Sequence, residues 1–194
     1  MDMINLILFG PPGSGKGTQA KQLAEKYHLH HISTGDIFRK EIGEKTDLGQ
    51  LAEDYLKKGE LVPDSVTVEM MKKEVNASPD VNGFIYDGFP RTVSQAKSLD
   101  YLLDVRNEQI SALIALEVDE SEIINRILKR GAVYGRADDS DENVIRSRFK
   151  VYLEETEPVF KYYEMRGKSS RIDGKGAIEE IFDRLCRVVD GVIQ

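Results

Sequence analysis

A glycine-rich stretch near the N-terminus, GPPGSGKGT at residues 10–18, leaves this chain few possible folds. It follows the apolar run NLILFG, which predicts a short buried strand, and precedes KGTQAKQLAEKY, which predicts a helix. A glycine-rich turn between a first strand and a helix directs backbone amides and a helix N-terminus at an anion, and Lys16 adds a charge for the outer phosphates. The stretch therefore predicts a phosphate-binding loop for a nucleoside triphosphate.

The loop departs from the general pattern at the residue after the lysine. The pattern has Ser or Thr there, whose hydroxyl group binds Mg²⁺, but here Gly17 follows Lys16 and the threonine comes one place later, at Thr18. We therefore expect the phosphates and water to hold the metal, with Asp87, at the end of the strand FIYDG, anchoring those waters. This favours a phosphoryl-transfer enzyme over a long-lived nucleotide switch.

Composition excludes several other classes of protein. The net charge of −7 argues against a broad nucleic-acid-binding face. The single cysteine, Cys186, excludes a disulfide scaffold and a cysteine-rich zinc site. The apolar run near the N-terminus is too short for a signal peptide or a membrane span, so we expect a cytoplasmic protein without a membrane partner.

Strand and helix patterns alternate along the chain. Strands are predicted at NLILFG, HHIS, FIYDG, ISALIALEV and SSRID, with helical segments between them. This alternation predicts an α/β fold, a parallel sheet with helices on both faces. A helical block at about 34–63 and a polar loop at 131–140 do not fit the alternation, so both are candidate mobile insertions over a site. Pro158 is expected to kink the long helical stretch 141–166.

Arginines recur at helical spacing. Arg91 and Gln95 are four residues apart and share a helix face, where an arginine fork suits a phosphate and an amide can read the edge of a base. Arg126 and Arg130 have the same spacing, at which two like charges repel each other, so we expect an anion or solvent between them. Arg136 and Arg148 follow.

Two aspartates, Asp138 and Asp139, lie between Arg136 and Arg148. They can pair with the arginines or cap the next helix.

No residue is placed as a general base, and His28, His30 and His31 are expected to be structural. A phosphate acceptor needs no base, because its second pKa is ~6 and it is mostly dianionic at pH 7. The sequence therefore favours catalysis by positioning and charge neutralisation.

Six motifs together resemble adenylate kinases, in that family's order: GPPGSGKGTQA, ISTGDIFR, GELVPD, DGFPRTVSQA, LKRG and GRADD. The resemblance implies a nucleoside monophosphate kinase fold with a five-stranded parallel sheet, a helical AMP-binding insert at about 33–62 and a lid at about 131–140. It implies the reversible reaction of Mg-ATP with AMP to give two ADP, in a monomer. The lid is short and has no cysteine, so no zinc is expected.

The resemblance also implies roles for individual residues. Those implied to bind ATP are Gly13, Ser14, Gly15, Lys16, Gly17, Thr18, Arg130 beside the base, and Gly176. Those implied to bind AMP are Thr34, Arg39, Glu60, Leu61, Val62, Gly88, Phe89, Pro90, Arg91, Gln95, Arg136 and Arg148. Those implied to act on the transferring group are Lys16, Arg91, Arg126, Arg130, Arg136 and Arg148, with Asp87 holding Mg²⁺ through water.

Two other functions fit parts of this pattern. A UMP/CMP kinase has the same fold and chemistry, but such enzymes tend to carry Ala in place of Thr34 and Asn in place of Gln95, so both positions favour AMP. A regulatory module that only binds ATP predicts a lost lysine or a broken arginine set, and neither is seen.

Overall fold

The computed structural model describes residues 3–78, 80–134, 139 and 141–193. Its sheet has five parallel strands in the order β2-β3-β1-β4-β5. The strands are β1 Ile4–Phe9, β2 His30–Ser33, β3 Gly83–Asp87, β4 Ala112–Glu117 and β5 Ser169–Asp173. The predicted five-stranded parallel sheet is confirmed, with the strand that precedes the glycine-rich loop at its centre.

Helices cover both faces of this sheet. Those within the described residues are α1 Lys16–Tyr27, α2 Thr34–Gly43, α3 Asp47–Lys58, α4 Asp64–Ala77, α5 Val93–Asp104, α6 Glu120–Tyr134, α7 Glu142–Val151, α8 Glu157–Glu164 and α9 Ile178–Ile193. No helix in this part of the chain is both long and apolar enough to span a membrane.

The alternation of side chains along β1 explains why both faces are covered. Ile7 and Phe9 pack into a core that includes residues of α2, α3, α4, α5 and α8. Leu6 and Leu8 point the other way, into a second core with α1 and α9. A strand buried on both sides reads as a continuous apolar run, as NLILFG does.

The carboxyl ends of the parallel strands meet at one edge of the sheet, and the loop after β1 emerges there between the ends of β3 and β4. Ligands of open α/β sheets bind at such a position, where the order of the strands reverses. The fold therefore brings the loop 10–15, Asp87 and the start of α5 to one side of the molecule.

One boundary differs from the sequence prediction. Helix α6 continues to Tyr134, although residues 131–134 were predicted to begin the loop. A Cβ atom at Gly131 would lie 2.9 Å from the backbone oxygen of Asp139, so glycine serves a close approach here and does not end the helix.

The long stretch 141–166 is interrupted, as Pro158 predicts. A π-helical turn, Tyr152–Thr156, separates α7 from α8, and the proline lies in the first turn of α8. Proline has no N–H to continue the α-helical hydrogen bonds, and the turn before it is wider, with the Glu157 N–H donating to the Tyr152 oxygen.

Candidate active site

The glycine-rich loop adopts the backbone conformation that its sequence predicts. Gly13 and Gly15 have φ angles of 81° and 95°, in the left-handed region, and Gly15 immediately precedes α1. A Cβ atom at Gly13 would lie 2.6 Å from Cγ1 of Ile127, so the loop could not keep this path with a larger residue there. The first amides of α1 have no acceptors within the helix, so they can donate to an anion.

Lys16 folds back over this loop. Its Nζ donates hydrogen bonds to the backbone oxygens of Gly10 and Pro11, at 2.6 and 2.9 Å, and to Ser14 Oγ at 3.3 Å. Burial of the ammonium group lowers the pKa of Lys16 to about 7, from an ordinary 10.5. A cation that is poorly solvated in this way gains most from an incoming phosphate.

Four other charged side chains lie near enough to act on the pKa of Lys16. Asp87, at the end of β3, raises it, whereas Arg91, Arg130 and Arg148 lower it. Arg91 lies in the segment before α5, Arg130 in α6 and Arg148 in α7. The structure thus brings together five of the predicted residues, four of them cationic.

Asp139 joins two of these arginines. Its carboxylate is fully buried and accepts hydrogen bonds from Arg130 at 2.6 and 2.8 Å and from Arg148 at 2.8 Å. Burial alone would raise the pKa of Asp139, but the hydrogen bonds and charges of both arginines outweigh it and hold the pKa below its usual value. Of the two roles open to Asp139 in the sequence, pairing is the one observed, and Asp141 caps α7 by accepting from the amide of Asn143.

Arg126 lies on the other side of the loop. Its Nη1 donates to the backbone oxygens of Ser14, at 3.4 Å, and Gly174, at 3.2 Å, and its Nε donates to Glu122 at 2.7 Å. The resemblance implied Arg130 beside the ATP base, but it is Arg126 that contacts the loop after β5. Arg130 instead pairs with Asp139.

A cleft lies next to that loop, at the carboxyl ends of β4 and β5. Its volume is about 450 Å³, and it is lined by Glu117, Val118, Asp119, Asp173 and Lys175.

Gly176 is the next residue of this loop, with a φ angle of 109°. Arg126 connects this loop to the glycine-rich loop, because its Nη1 donates to the oxygens of both Gly174 and Ser14.

A second group of predicted residues meets around the carbonyl oxygen of Gly88. Thr34 Oγ1 donates to this oxygen at 3.0 Å, and Arg91 Nε donates to it at 2.7 Å. The side-chain oxygen of Gln95 accepts from the Arg91 amide at 2.7 Å. Thr34 and Gln95 are each 2% exposed, so the two predicted base-reading side chains are held by protein contacts.

Four other residues are also predicted to bind AMP. Arg39, on α2, pairs with Asp36 of the same helix. Phe89 and Val62 are buried, while Glu60 is exposed.

Two further residues complete this set. Leu61 is half-buried, and the peptide bond between Phe89 and Pro90 is cis. Arg136 lies outside the described residues, as do residues 135–138 and 140 of the predicted lid.

The surroundings of Asp87 fit a magnesium ion held through water. A Cβ atom at Gly17 would lie 3.5 Å from Asp87 Oδ2, so the carboxylate faces the phosphate-binding loop. Mg²⁺ keeps several waters and is held by one or two carboxylates together with phosphate oxygens. Within the described residues, no group of three or more His, Cys, Asp or Glu side chains is arranged to hold a metal ion.

The sequence analysis assigned no role to one residue that contacts the predicted AMP-binding residues. Asp64, the last residue of the motif GELVPD, accepts hydrogen bonds from Thr92 and Gln95. The partners are 28 and 31 residues away in the chain, so no local spacing indicates the contact.

Comparison with known proteins agrees with this geometry. A sequence model of the family described as "Adenylate kinase" matches residues 8–168. An adenylate kinase of Flavobacterium psychrophilum is 48% identical over 190 residues, which is 98% of this chain and 100% of that protein. An adenylate kinase of Flavobacterium johnsoniae shares the same identity and coverage. One from Bacteroides fragilis is 44% identical over 188 residues, 97% of this chain and 99% of that protein.

Proposed function

The chain belongs to the adenylate kinase family, and from this premise we propose which residues carry out the family's reaction. The protein is an enzyme that transfers the γ-phosphoryl group of ATP to AMP, reversibly, giving two ADP. The observation that carries the proposal is the convergence of Lys16, Asp87, Arg91, Arg130 and Arg148 at the carboxyl edge of the sheet.

ATP binds at the glycine-rich loop in this proposal. The amides of residues 13–18 hold its phosphates, and Lys16 leaves its loop carbonyls to contact the outer ones. Arg126 contacts Gly174, and Gly174 and Gly176 are chain neighbours of residues that line the cleft at β4 and β5, so we assign the base of ATP to that side. The proposal therefore assigns the contact with the base to Arg126, where the resemblance had implied Arg130.

AMP binds at the group centred on Gly88. Arg91 and Arg39 hold its phosphate, and Thr34 and Gln95 contact its base. The insert 33–62, which contains α2 and α3, covers this side of the site. Its end already touches α7: a Cβ atom at Gly59 would lie 3.0 Å from Cγ of Arg148.

The transfer needs no base. An oxygen of the AMP phosphate attacks the γ-phosphorus, the bond from that phosphorus to the β,γ-bridging oxygen breaks, and ADP leaves as an anion. Lys16, Arg130 and Arg148 neutralise charge on the equatorial and leaving oxygens, which is the main catalytic contribution available to a phosphoryl-transfer site.

Asp139 supplies the negative charge that Arg130 and Arg148 contact before substrate arrives. It holds both guanidinium groups in place, so substrate phosphates find them already oriented. Because the carboxylate stays buried, its partial neutralisation of the arginines also limits how tightly they hold product.

Mg²⁺ bound with ATP would neutralise charge on the phosphates, and Asp87 would anchor its waters. We propose that zinc is not required, since the lid segment 131–140 contains no cysteine. The role of 131–140 as a lid, the monomeric state, the cytoplasmic location and the lack of nucleic-acid and membrane partners stay predictions from the sequence.

An acceptor panel tests the substrate assignment. The purified protein is given Mg-ATP with AMP, UMP, CMP or GMP, and nucleoside diphosphate formation is quantified by chromatography. We expect kcat/KM to be highest for AMP by a wide margin. A kcat/KM for UMP or CMP equal to that for AMP would instead identify a pyrimidine nucleotide kinase.

A pair of arginine variants tests the residue assignment. Arg126→Met should raise the KM for ATP, and Arg91→Met should raise the KM for AMP. Each variant removes one positive charge near the same loop, so each is the control for the other. The assignment fails if both variants change the two KM values alike.

A further inference from the structure

The hydrogen bonds of Asp64 connect α4 to Gln95, the residue proposed to contact the adenine base of AMP. Asp64 Oδ2 accepts from Thr92 Oγ1 at 2.7 Å, and Oδ1 accepts from Gln95 Nε2 at 2.8 Å. Thr92 Oγ1 caps α5 by accepting a hydrogen bond from the backbone N–H of Gln95 at 3.1 Å. One carboxylate therefore contacts both the cap of α5 and the side chain of Gln95.

These contacts fix which end of the Gln95 amide points which way. A carboxylate can only accept hydrogen bonds, and the backbone N–H of Arg91 can only donate one. With Nε2 facing Asp64 and Oε1 facing Arg91, both contacts are satisfied. The flipped amide would set oxygen against carboxylate and N–H against N–H, and Gln95 is too buried for water to relieve either contact.

The fixed amide has a defined hydrogen-bonding capacity left for a ligand. One N–H of Nε2 and one lone pair of Oε1 remain after the contacts to Asp64 and Arg91. Adenine offers a 6-amino donor and the N1 acceptor, which match that donor and acceptor. Hypoxanthine offers a 6-oxo acceptor and an N1–H donor, which would match only the flipped amide.

We propose that Asp64 is a positioning residue that makes the site select a 6-amino purine over a 6-oxo purine, by holding the Gln95 amide in one orientation. The inference rests on the proposed function, in which Gln95 contacts the acceptor base. Asp64 itself touches no substrate. Its effect on selectivity is set by the hydrogen bond to Gln95, whereas its contact with Thr92 stabilises the start of α5.

Three substitutions separate the hydrogen-bond acceptor from the charge. Asp64→Ala and Asp64→Leu remove the acceptor, with a smaller and a larger side chain, so the test does not depend on one variant folding. Asp64→Asn is the matched control, because it removes the charge at the start of α4 but keeps a carbonyl oxygen that can accept from Gln95 Nε2. Thermal unfolding curves establish the folded fraction of each protein.

The measurement is kcat/KM for AMP and for inosine monophosphate at saturating Mg-ATP. We expect the AMP/IMP ratio to fall about tenfold or more in Asp64→Ala and Asp64→Leu, the effect of losing one hydrogen bond to a charged group. Asp64→Asn should stay within about threefold of the wild-type ratio, well inside the factor that one hydrogen bond contributes. A residue that is only structural would lower both kcat/KM values together and leave the ratio unchanged.

The possible results are distinct. An unchanged ratio in the acceptor-free variants, with a strong wild-type preference for AMP, overturns the inference about Asp64 and leaves the proposed function standing. A fall in Asp64→Asn as large as in Asp64→Ala also overturns it, because charge alone would then explain the effect. A wild-type enzyme that uses AMP and IMP equally well refutes the proposed base contact of Gln95, and with it the inference about Asp64, but not the transfer of phosphate to AMP.

Discussion

Replacing Lys16 with methionine should change how the stability of the protein depends on pH. The ammonium group of Lys16 is enclosed by loop carbonyls, and burial lowers its pKa to about 7, from 10.5. Between these two values the unfolded chain binds one more proton at this residue than the folded protein does. The free energy of unfolding of the wild type therefore rises with pH in this range, and the Lys16→Met variant lacks that contribution.

The size of the effect follows from the shift. One pKa unit corresponds to about 1.4 kcal/mol, so from pH 7 to pH 9 the wild type should gain about 2 kcal/mol in unfolding free energy relative to Lys16→Met. The variant also loses the hydrogen bonds to Gly10, Pro11 and Ser14, so the comparison uses the change in this difference with pH and not its size at one pH. Turnover of the variant should fall by at least ~10²-fold, because one transition-state donor is missing.

Urea unfolding of both proteins at pH 7, 8 and 9, without nucleotide, measures this difference. Lys21→Met removes an exposed lysine from the same helix and controls for the loss of one positive charge. A wild-type minus Lys16→Met difference that stays constant from pH 7 to pH 9 would refute the argument, since it would mean that folding does not perturb Lys16. A near-normal kcat in Lys16→Met would show that Lys16 does not stabilise the transition state.

Three more predictions concern the acceptor site, the buried carboxylate and the metal. Gln95→Leu should lower kcat/KM for AMP about tenfold to a hundredfold, as measured by acceptor kinetics, and an undiminished kcat/KM would contradict a contact between Gln95 and the base. The same variant should lose ~1–3 kcal/mol of unfolding free energy, because Asp64 and the backbone N–H of Arg91 each lose their hydrogen bond to Gln95. Asp139→Asn should destabilise the protein by ~1–3 kcal/mol at pH 7, since Arg130 and Arg148 are 28% and 18% exposed and water partly compensates them. The difference in unfolding free energy should shrink as pH falls below about 4, because the pKa of Asp139 is lowered in the folded protein and its stabilisation is lost on protonation. A difference that stays constant through this acid range would contradict the pairing of Asp139 with the arginines. Activity should vanish with EDTA and return with Mg²⁺, and elemental analysis should find no stoichiometric zinc.

The sequence predicts the frame of this fold because its signals are local. The apolar run before Gly10, the glycines of the loop and the alternation of strands with helices all act over a few residues. They suffice to predict the parallel sheet and the position of Lys16 and Asp87 at its carboxyl edge. The pairing of β1 with β3 and β4 then brings these two residues together.

Features that depend on distant partners were predicted less well. Gly131 has the local signature of a helix end, yet α6 continues because this glycine lets the Asp139 backbone approach. Arg126 and Arg130 have equivalent local spacing, yet Arg126 contacts Gly174, 48 residues away, whereas Arg130 contacts Asp139. Asp64 belongs to the motif GELVPD, but it lies 31 residues from Gln95, and no local pattern predicts their contact.

The glycine at position 17 and the carboxylate of Asp87 are two parts of one arrangement. A side chain at Gly17 would begin 3.5 Å from Asp87 Oδ2, so the hydroxyl group of a serine there could reach the carboxylate and donate to it. The hydroxyl would then occupy an oxygen that is proposed to hold the waters of Mg²⁺. In the proposed arrangement, with glycine in this place, the metal would depend on the nucleotide phosphates and on one carboxylate, a weaker set of ligands than a hydroxyl and carboxylate together. Weak retention suits an enzyme whose reaction runs in both directions, because the metal must leave with whichever nucleotide is released.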